Sequence, residues 1–161
     1  MSLVEAVETR VASTPDKTLF TFLADGEEVE RSVTFAQLWE LASTVAAQFA
    51  EETTVGDRVL LLYEPGIDYI VAFFACLISG RIAVPVYPPN PRRLQQTLPR
   101  LLHIVTDAQP AAVATSATIR GLAEGLLTSM GVEGVAWCAT DDGVDRGSYA
   151  STSRIDPGGV A

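Results

Sequence analysis

The sequence predicts an α/β fold, a mostly parallel sheet with flanking helices, and three observations lead there. Val59-Leu60-Leu61-Leu62 is an apolar run without polar alternation, the signature of a strand covered on both faces. The segment Tyr69 to Ser79 is apolar around its whole helical circumference, which requires burial on most sides. From Arg58 to Cys138 the pattern reads strand, helix, strand, helix, strand, helix, strand, as right-handed crossovers build a parallel sheet. A chain of 161 residues that is 48% hydrophobic suffices for one domain with a real core.

Taken in order, Ser2 and Glu5 form a capping box that starts a first helix, with Leu3, Val7 and Val11 on one face and Pro15 closing it. Thr18 to Leu23 has strand composition, and Asp25-Gly26 turns the chain into a second extended run ending near Val33. Thr34 and Gln37 make another capping box, with Val33 and Leu38 as hydrophobic staple. The stripe Phe35, Leu38, Ala42, Val45, Phe49 should pack that helix against the sheet.

After the Val59–Leu62 strand, Glu64-Pro65-Gly66 turns the chain, Asp68 is the predicted N-cap of the apolar helix, and Gly80 supplies its left-handed end. Ile82-Ala83-Val84 forms a short strand stopped by Pro85, and prolines stiffen the loop Tyr87-Pro88-Pro89-Asn90-Pro91. Leu98, Leu101, Leu102, Val105 and Ala108 mark a helix in which Pro99 belongs to the first turn, capped by Thr97. Ala111 to Thr115 is a strand, and Ser116 caps a helix weakened by Gly121 and Gly125. Gly134 to Cys138 is the last strand. The division expected is therefore an α/β subdomain over 1–138 and an exposed connector over 139–161.

Composition excludes several function classes. A formal net charge of −9 argues against nucleic acid, and the only basic cluster is Arg92, Arg93 and Arg100. Cys76 and Cys138 show no metal-ligand spacing and read as small buried groups in a reducing compartment. MSLVEAVETR lacks the basic and apolar regions of a signal peptide. The longest apolar run, Tyr69 to Ile78, is half of the about 20 residues that cross a bilayer. A cytoplasmic location and no transmembrane segment are expected.

Chemistry is sparse. No dinucleotide or phosphate-loop glycine motif follows a strand, and the single histidine, His103, falls on the polar side of its helix. No catalytic residue and no metal ligand is predicted. Ligands of parallel sheets bind outside the strands' carboxyl ends, here Tyr63 to Gly66, Val86 to Pro89, Thr115-Ser116 and Cys138 to Thr140. Tyr87, Pro88, Arg92 and Arg93 are the candidate substrate-binding residues, with surface arginines in ordinary salt bridges the plainer reading of the last two.

Val33-Thr34-Phe35-Ala36-Gln37-Leu38, Gly56-Asp57-Arg58-Val59 and Cys76 through Pro85 resemble the N-terminal part of the adenylate-forming enzymes. The first matches T-[YF]-x-x-L and the last L-x-x-G-x-x-x-V-P. Tyr87 to Arg93, followed by Thr97-Leu98-Pro99-Arg100-Leu101, is similar to the fatty acyl-AMP ligases. The resemblance implies a parent enzyme that uses ATP and Mg2+ to turn a fatty acid into acyl-adenylate and passes the acyl group to an acyl carrier protein, in polyketide, nonribosomal peptide or lipid biosynthesis. In that family the phosphate loop follows a segment similar to Ile155 to Ala161, where this sequence stops. The phosphate loop, the adenine and Mg2+ residues and the catalytic lysine would then lie on further polypeptide, leaving these residues inactive alone and without a bound cofactor. A self-contained ligand-binding or docking module is the alternative.

Overall fold

The computed structural model describes residues 2–24, 26 and 28–141. Helix α1 (Leu3–Ser13) starts at the expected capping box: the Glu5 amide donates to Ser2 Oγ at 3.2 Å and the Ser2 amide to Glu5 Oε2 at 2.7 Å. Strands β1 (Thr18–Ala24) and β2 (Glu28–Thr34) form an antiparallel hairpin. Gly26 at its tip has φ 80°, a left-handed conformation that glycine adopts without steric cost; Asp25, predicted to share that turn, lies outside the described residues. Helix α2 (Phe35–Glu52) begins at the Thr34–Gln37 capping box, and the staple residues Val33 and Leu38 are both buried.

Strands β3 (Arg58–Leu62), β4 (Ile82–Val86), β5 (Ala112–Thr115) and β6 (Ala136–Ala139) form a parallel sheet ordered β4-β3-β5-β6. Helices α3 (Ile67–Ser79), α4 (Leu94–Ala108) and α5 (Ala117–Ser129) connect them. The chain runs from β3 outward to β4 and then back across to β5, so crossovers of a single hand must change faces at that reversal. They do. Val59 and Leu61 point into a core shared with α2 and α3, whereas Leu60 and Leu62 point into a second core with Leu101 and Val105 of α4 and Ala123 and Leu127 of α5. The side chains of Val59, Leu60, Leu61 and Leu62 are fully buried, which explains the unbroken apolar run; each stabilises the fold by about 1.5–3 kcal/mol.

Four expectations need correction. Helix α3 begins at Ile67, with extended Gly66 before it, so Asp68 is not the N-cap. Its carboxylate sits in the first helical turn and accepts a hydrogen bond from Arg31 Nη1 at 2.6 Å. Strand β4 runs through Pro85 to Val86, because it is an edge strand, where a missing amide donor need not break a ladder. Helix α4 begins at Leu94, after a 3-10 turn at Pro91–Arg93, which puts Pro99 in the helix interior. Thr97 is therefore not its cap: its hydroxyl donates to the Arg93 carbonyl and accepts from the Asn90 amide. Finally, the stripe of α2 packs chiefly on α3, which lies between it and most of the sheet.

The end of α3 ties the two halves of this first face together. Gly80 is left-handed at φ 70°, and the Arg81 amide reaches the Cys76 carbonyl at 2.8 Å, a Schellman closure. A Cβ on Gly80 would meet Val55 Cγ1 at 3.2 Å, so both conformation and space call for glycine. The Arg81 guanidinium then donates to Thr53 Oγ1 at 3.1 Å, to the Thr53 carbonyl at 2.7 Å and to the Ser79 carbonyl, locking the exit of α2 to the exit of α3.

Candidate functional site

The reversal between β3 and β5 is where a doubly wound sheet opens a crevice at the strands' carboxyl ends. Three buried hydroxyls seal its floor. Thr115 Oγ1 donates to the Leu62 carbonyl at 2.7 Å, Tyr63 Oη and Thr140 Oγ1 lie 2.8 Å apart, and the Thr140 amide donates to the Thr115 carbonyl at 3.0 Å. These bonds join the ends of β3, β5 and β6. Burial pushes the Tyr63 phenol well above its ordinary range, with its bond to Thr140 pulling the other way. It stays a neutral hydrogen-bonding group.

Above this floor lie two clefts. One, of about 220 Å³, is walled by Tyr63, Glu64, Pro65, Tyr69, Pro85 and Tyr87. Its lining is largely aromatic and apolar because Tyr63 directly follows β3, α3 presents Tyr69 stacked with Phe73 at a ring-centroid distance of 6.4 Å, and Tyr87 directly follows the edge strand β4. The other, of about 290 Å³, opens between Arg31, Asp68, Ser116, Thr118 and Asp141. Helix α5 turns its N-terminus toward it, and two amides of that end already have side-chain acceptors. Ser116 Oγ accepts from the Ile119 amide at 3.3 Å and Asp141 Oδ1 from the Ala117 amide at 2.7 Å. An internal carboxylate thus holds the place where a phosphate would be drawn.

Of the residues singled out from the sequence, Tyr87 is 76% exposed and forms the rim of the aromatic cleft. Pro88 is half-buried on the opposite side of that rim, in a separate groove against α4. Arg92 and Arg93 are exposed on the 3-10 turn beyond, and line neither cleft. Tyr63 and Thr115 were legible as strand ends. Tyr69 was hidden in an all-apolar helix, and Arg31 gives no local signal because its partner is 37 positions away.

The reactive groups are muted. Burial pushes the Cys76 thiol up to about 12, against a smaller opposing pull from Arg81, and burial likewise raises Cys138. Neither is a ready nucleophile. His103 is exposed on α4. Among the described residues no group of three or more His, Cys, Asp or Glu is placed to hold a metal ion, so no Mg2+ ligand is assigned to them. The first cleft is aromatic-rimmed and largely apolar, with Glu64 the one charged residue among its described lining.

The AMP-binding enzyme family profile matches residues 7–154. The chain belongs to the AMP-binding enzyme family. Among relatives, the medium-chain-fatty-acid–[acyl-carrier-protein] ligase JamA of Moorena producens (strain JHB) is 35% identical over 114 residues, 71% of this chain and 19% of that protein. Human Disco-interacting protein 2 homolog A is 36% identical over 157 residues, 94% of this chain and 10% of that protein. The solved fatty acyl-adenylate ligase from L. pneumophila, in complex with acyl adenylate and pyrophosphate, superposes with a TM-score of 0.70 at 36% identity, over 88% of this chain and 23% of that one. The chain thus spans between a tenth and a quarter of the length of these relatives, and its parallel sheet is that of the N-terminal domain of adenylate-forming enzymes.

Proposed function

We propose that these residues are the N-terminal part of a fatty acyl-AMP ligase. A fatty acid carboxylate attacks the α-phosphorus of ATP, pyrophosphate leaves, and the acyl-adenylate is then attacked by the phosphopantetheine thiol of an acyl carrier protein, releasing AMP. The acyl product would feed polyketide, nonribosomal peptide or lipid biosynthesis in the cytoplasm. The observation that carries this reading is the aromatic, apolar cleft at the carboxyl ends of a parallel sheet in a chain of the AMP-binding family.

In this reading Tyr63, Tyr69 and Tyr87 wall the acyl chain and exclude water from it, while the buried hydroxyl floor keeps the three strand ends in register beneath. Mg2+, when bound with ATP, would screen the triphosphate charge. The described residues supply no cluster for it, and the α5 N-terminus is taken by Asp141. Stabilising the transferring phosphoryl group is the main demand of such a site, so residues 1–161 alone are expected to be inactive.

Pyrophosphate exchange into ATP is the test, run on the full-length parent and on residues 1–161 with medium- and long-chain fatty acids. Exchange by the parent that depends on the fatty acid, with none from residues 1–161, is expected. Exchange by residues 1–161 alone would overturn the assignment in favour of a self-contained module, and exchange driven by amino acids but not fatty acids would overturn the substrate class.

A further inference from the structure

The turn that walls the two clefts is held from its flanks. Glu64, Pro65 and Gly66 lead from the end of β3 into α3, with Glu64 and Pro65 lining both clefts and Gly66 the second. At the opposite end of the sheet, backbone bonds pin the loops: the Gly56 amide donates to the Gly80 carbonyl and the Ala111 amide to the Arg58 carbonyl, each at 2.9 Å. Among the described residues no such loop bond involves Glu64, Pro65 or Gly66. Gly66 is extended and offers α3 no capping side chain.

Side chains from distant parts of the sequence take up the task. On the β3 side Tyr63 Oη lies 2.8 Å from Thr140 Oγ1, and on the α3 side Arg31 Nη1 donates to Asp68 Oδ1 at 2.6 Å. Tyr69, the α3 wall of the aromatic cleft, follows Asp68 directly. With side chains 21% and 37% exposed, the ion pair is partly withdrawn from water, where screening weakens it less than a surface pair.

Arg31 belongs to the β1–β2 hairpin, a sheet separate from the parallel one. The hairpin lays Phe20 against Phe74 of α3, ring centroids 6.5 Å apart, and Arg31 adds a directional bond to this apolar contact. Beneath the ion pair is a void of about 10 Å³, bordered by Leu41 and Val45 of α2, by Val71 of α3, and by Thr140 and Asp141 as well as the pair itself. It has room for no more than one water. That side is filled, and an Asp68 released from Arg31 has room to move only toward the open clefts.

We propose that Arg31 is a positioning residue for the acyl cleft: through Asp68 it fixes Tyr69 and the turn 64–66, and so sets the width of the cleft that receives the fatty chain. The proposal rests on the fatty acid reading given above and adds which distant residue controls that site. Arg31 itself lies outside the aromatic cleft, so its effect passes through the wall. A wall that moves weakens the hold on the chain, while ATP, whose binding groups that reading assigns to further polypeptide, is bound as before.

The experiment follows fatty-acid-dependent pyrophosphate exchange by the full-length ligase, reading KM for its preferred fatty acid, decanoate or palmitate, separately from KM for ATP. Arg31→Met, which keeps the apolar stem, is expected to raise the fatty acid KM about fivefold and the ATP KM by less than about twofold. Arg31→Lys returns a cation that can reach one carboxylate oxygen and should recover most of that loss. Asp68→Asn should raise the fatty acid KM as well, and adding it to Arg31→Met should change little further. The Asp68→Asn arm decides the matter if Arg31→Met fails to fold. A fatty acid KM that neither variant moves, an equal rise in both KM values, a fall in kcat alone, or Arg31→Lys performing no better than Arg31→Met overturns the proposal. Each of those results leaves the ligase reading standing, whereas a parent without fatty-acid-dependent exchange removes that reading and this role together.

Discussion

Single side chains in this chain hold elements together more often than they offer chemistry. Arg81 is the clearest case, with donors on two carbonyls and one hydroxyl across the α2–α3 junction. Arg81→Met keeps the apolar stem but leaves the buried Thr53 group short of partners. It should lower unfolding free energy by about 2–3 kcal/mol in urea titration; a change below about 0.5 kcal/mol would mean that solvent replaces those bonds. Cys76 makes the complementary point. Its thiol is raised from 9.0 to about 12 in the fold, so the neutral form contributes stability that is complete below pH 9 and disappears as pH climbs toward 12. Iodoacetamide at pH 8 should leave Cys76 unmodified in the native protein and alkylate it in urea, as mass spectrometry would show.

At the level of elements, helix starts were readable wherever the capping partners sit three residues apart. Both capping boxes are local, and both are formed. Thr34→Ala should cost about 1 kcal/mol by removing the acceptor for the Gln37 amide. Where the deciding partner is distant, local reasoning misplaced the boundary: Asp68 looked like a cap but answers to Arg31 on the hairpin. Pro99 shows the same limit in a helix. A proline normally opens or ends a helix, yet here burial of Leu101 and Val105 against the sheet holds α4 together on both sides of it. Pro99→Ala restores an amide donor facing the Gln95 carbonyl. It should raise stability by about 1–2 kcal/mol, the helical gain being partly offset by a freer unfolded chain, and a loss of stability in thermal unfolding would refute that account of α4.

For the whole molecule, the decisive feature is the convergence of β3, β5 and β6 on buried hydroxyls at the floor of the crevice. Thr140→Val strands the Tyr63 hydroxyl in a buried site and should cost about 1–3 kcal/mol. Adding Tyr63→Phe removes both partners, so the double variant should lose less than the sum of the singles in urea titration; strict additivity would show that the pair is not coupled. Composition and periodicity alone were enough for the α/β class, the doubly covered β3 and the buried α3, because period and apolar content are properties of neighbouring residues; the likeness to adenylate-forming enzymes rested instead on short motifs such as Thr34 to Leu38 and Leu77 to Pro85. Only folding decided which residues meet. It brought Tyr63, Tyr69 and Tyr87 around one cleft, placed Thr140 on Tyr63 from 77 positions away, and set Asp141 on the Ala117 amide at the start of α5. Such pairings depend on strand order and on the face each crossover takes, and neither is written in any local stretch of the chain.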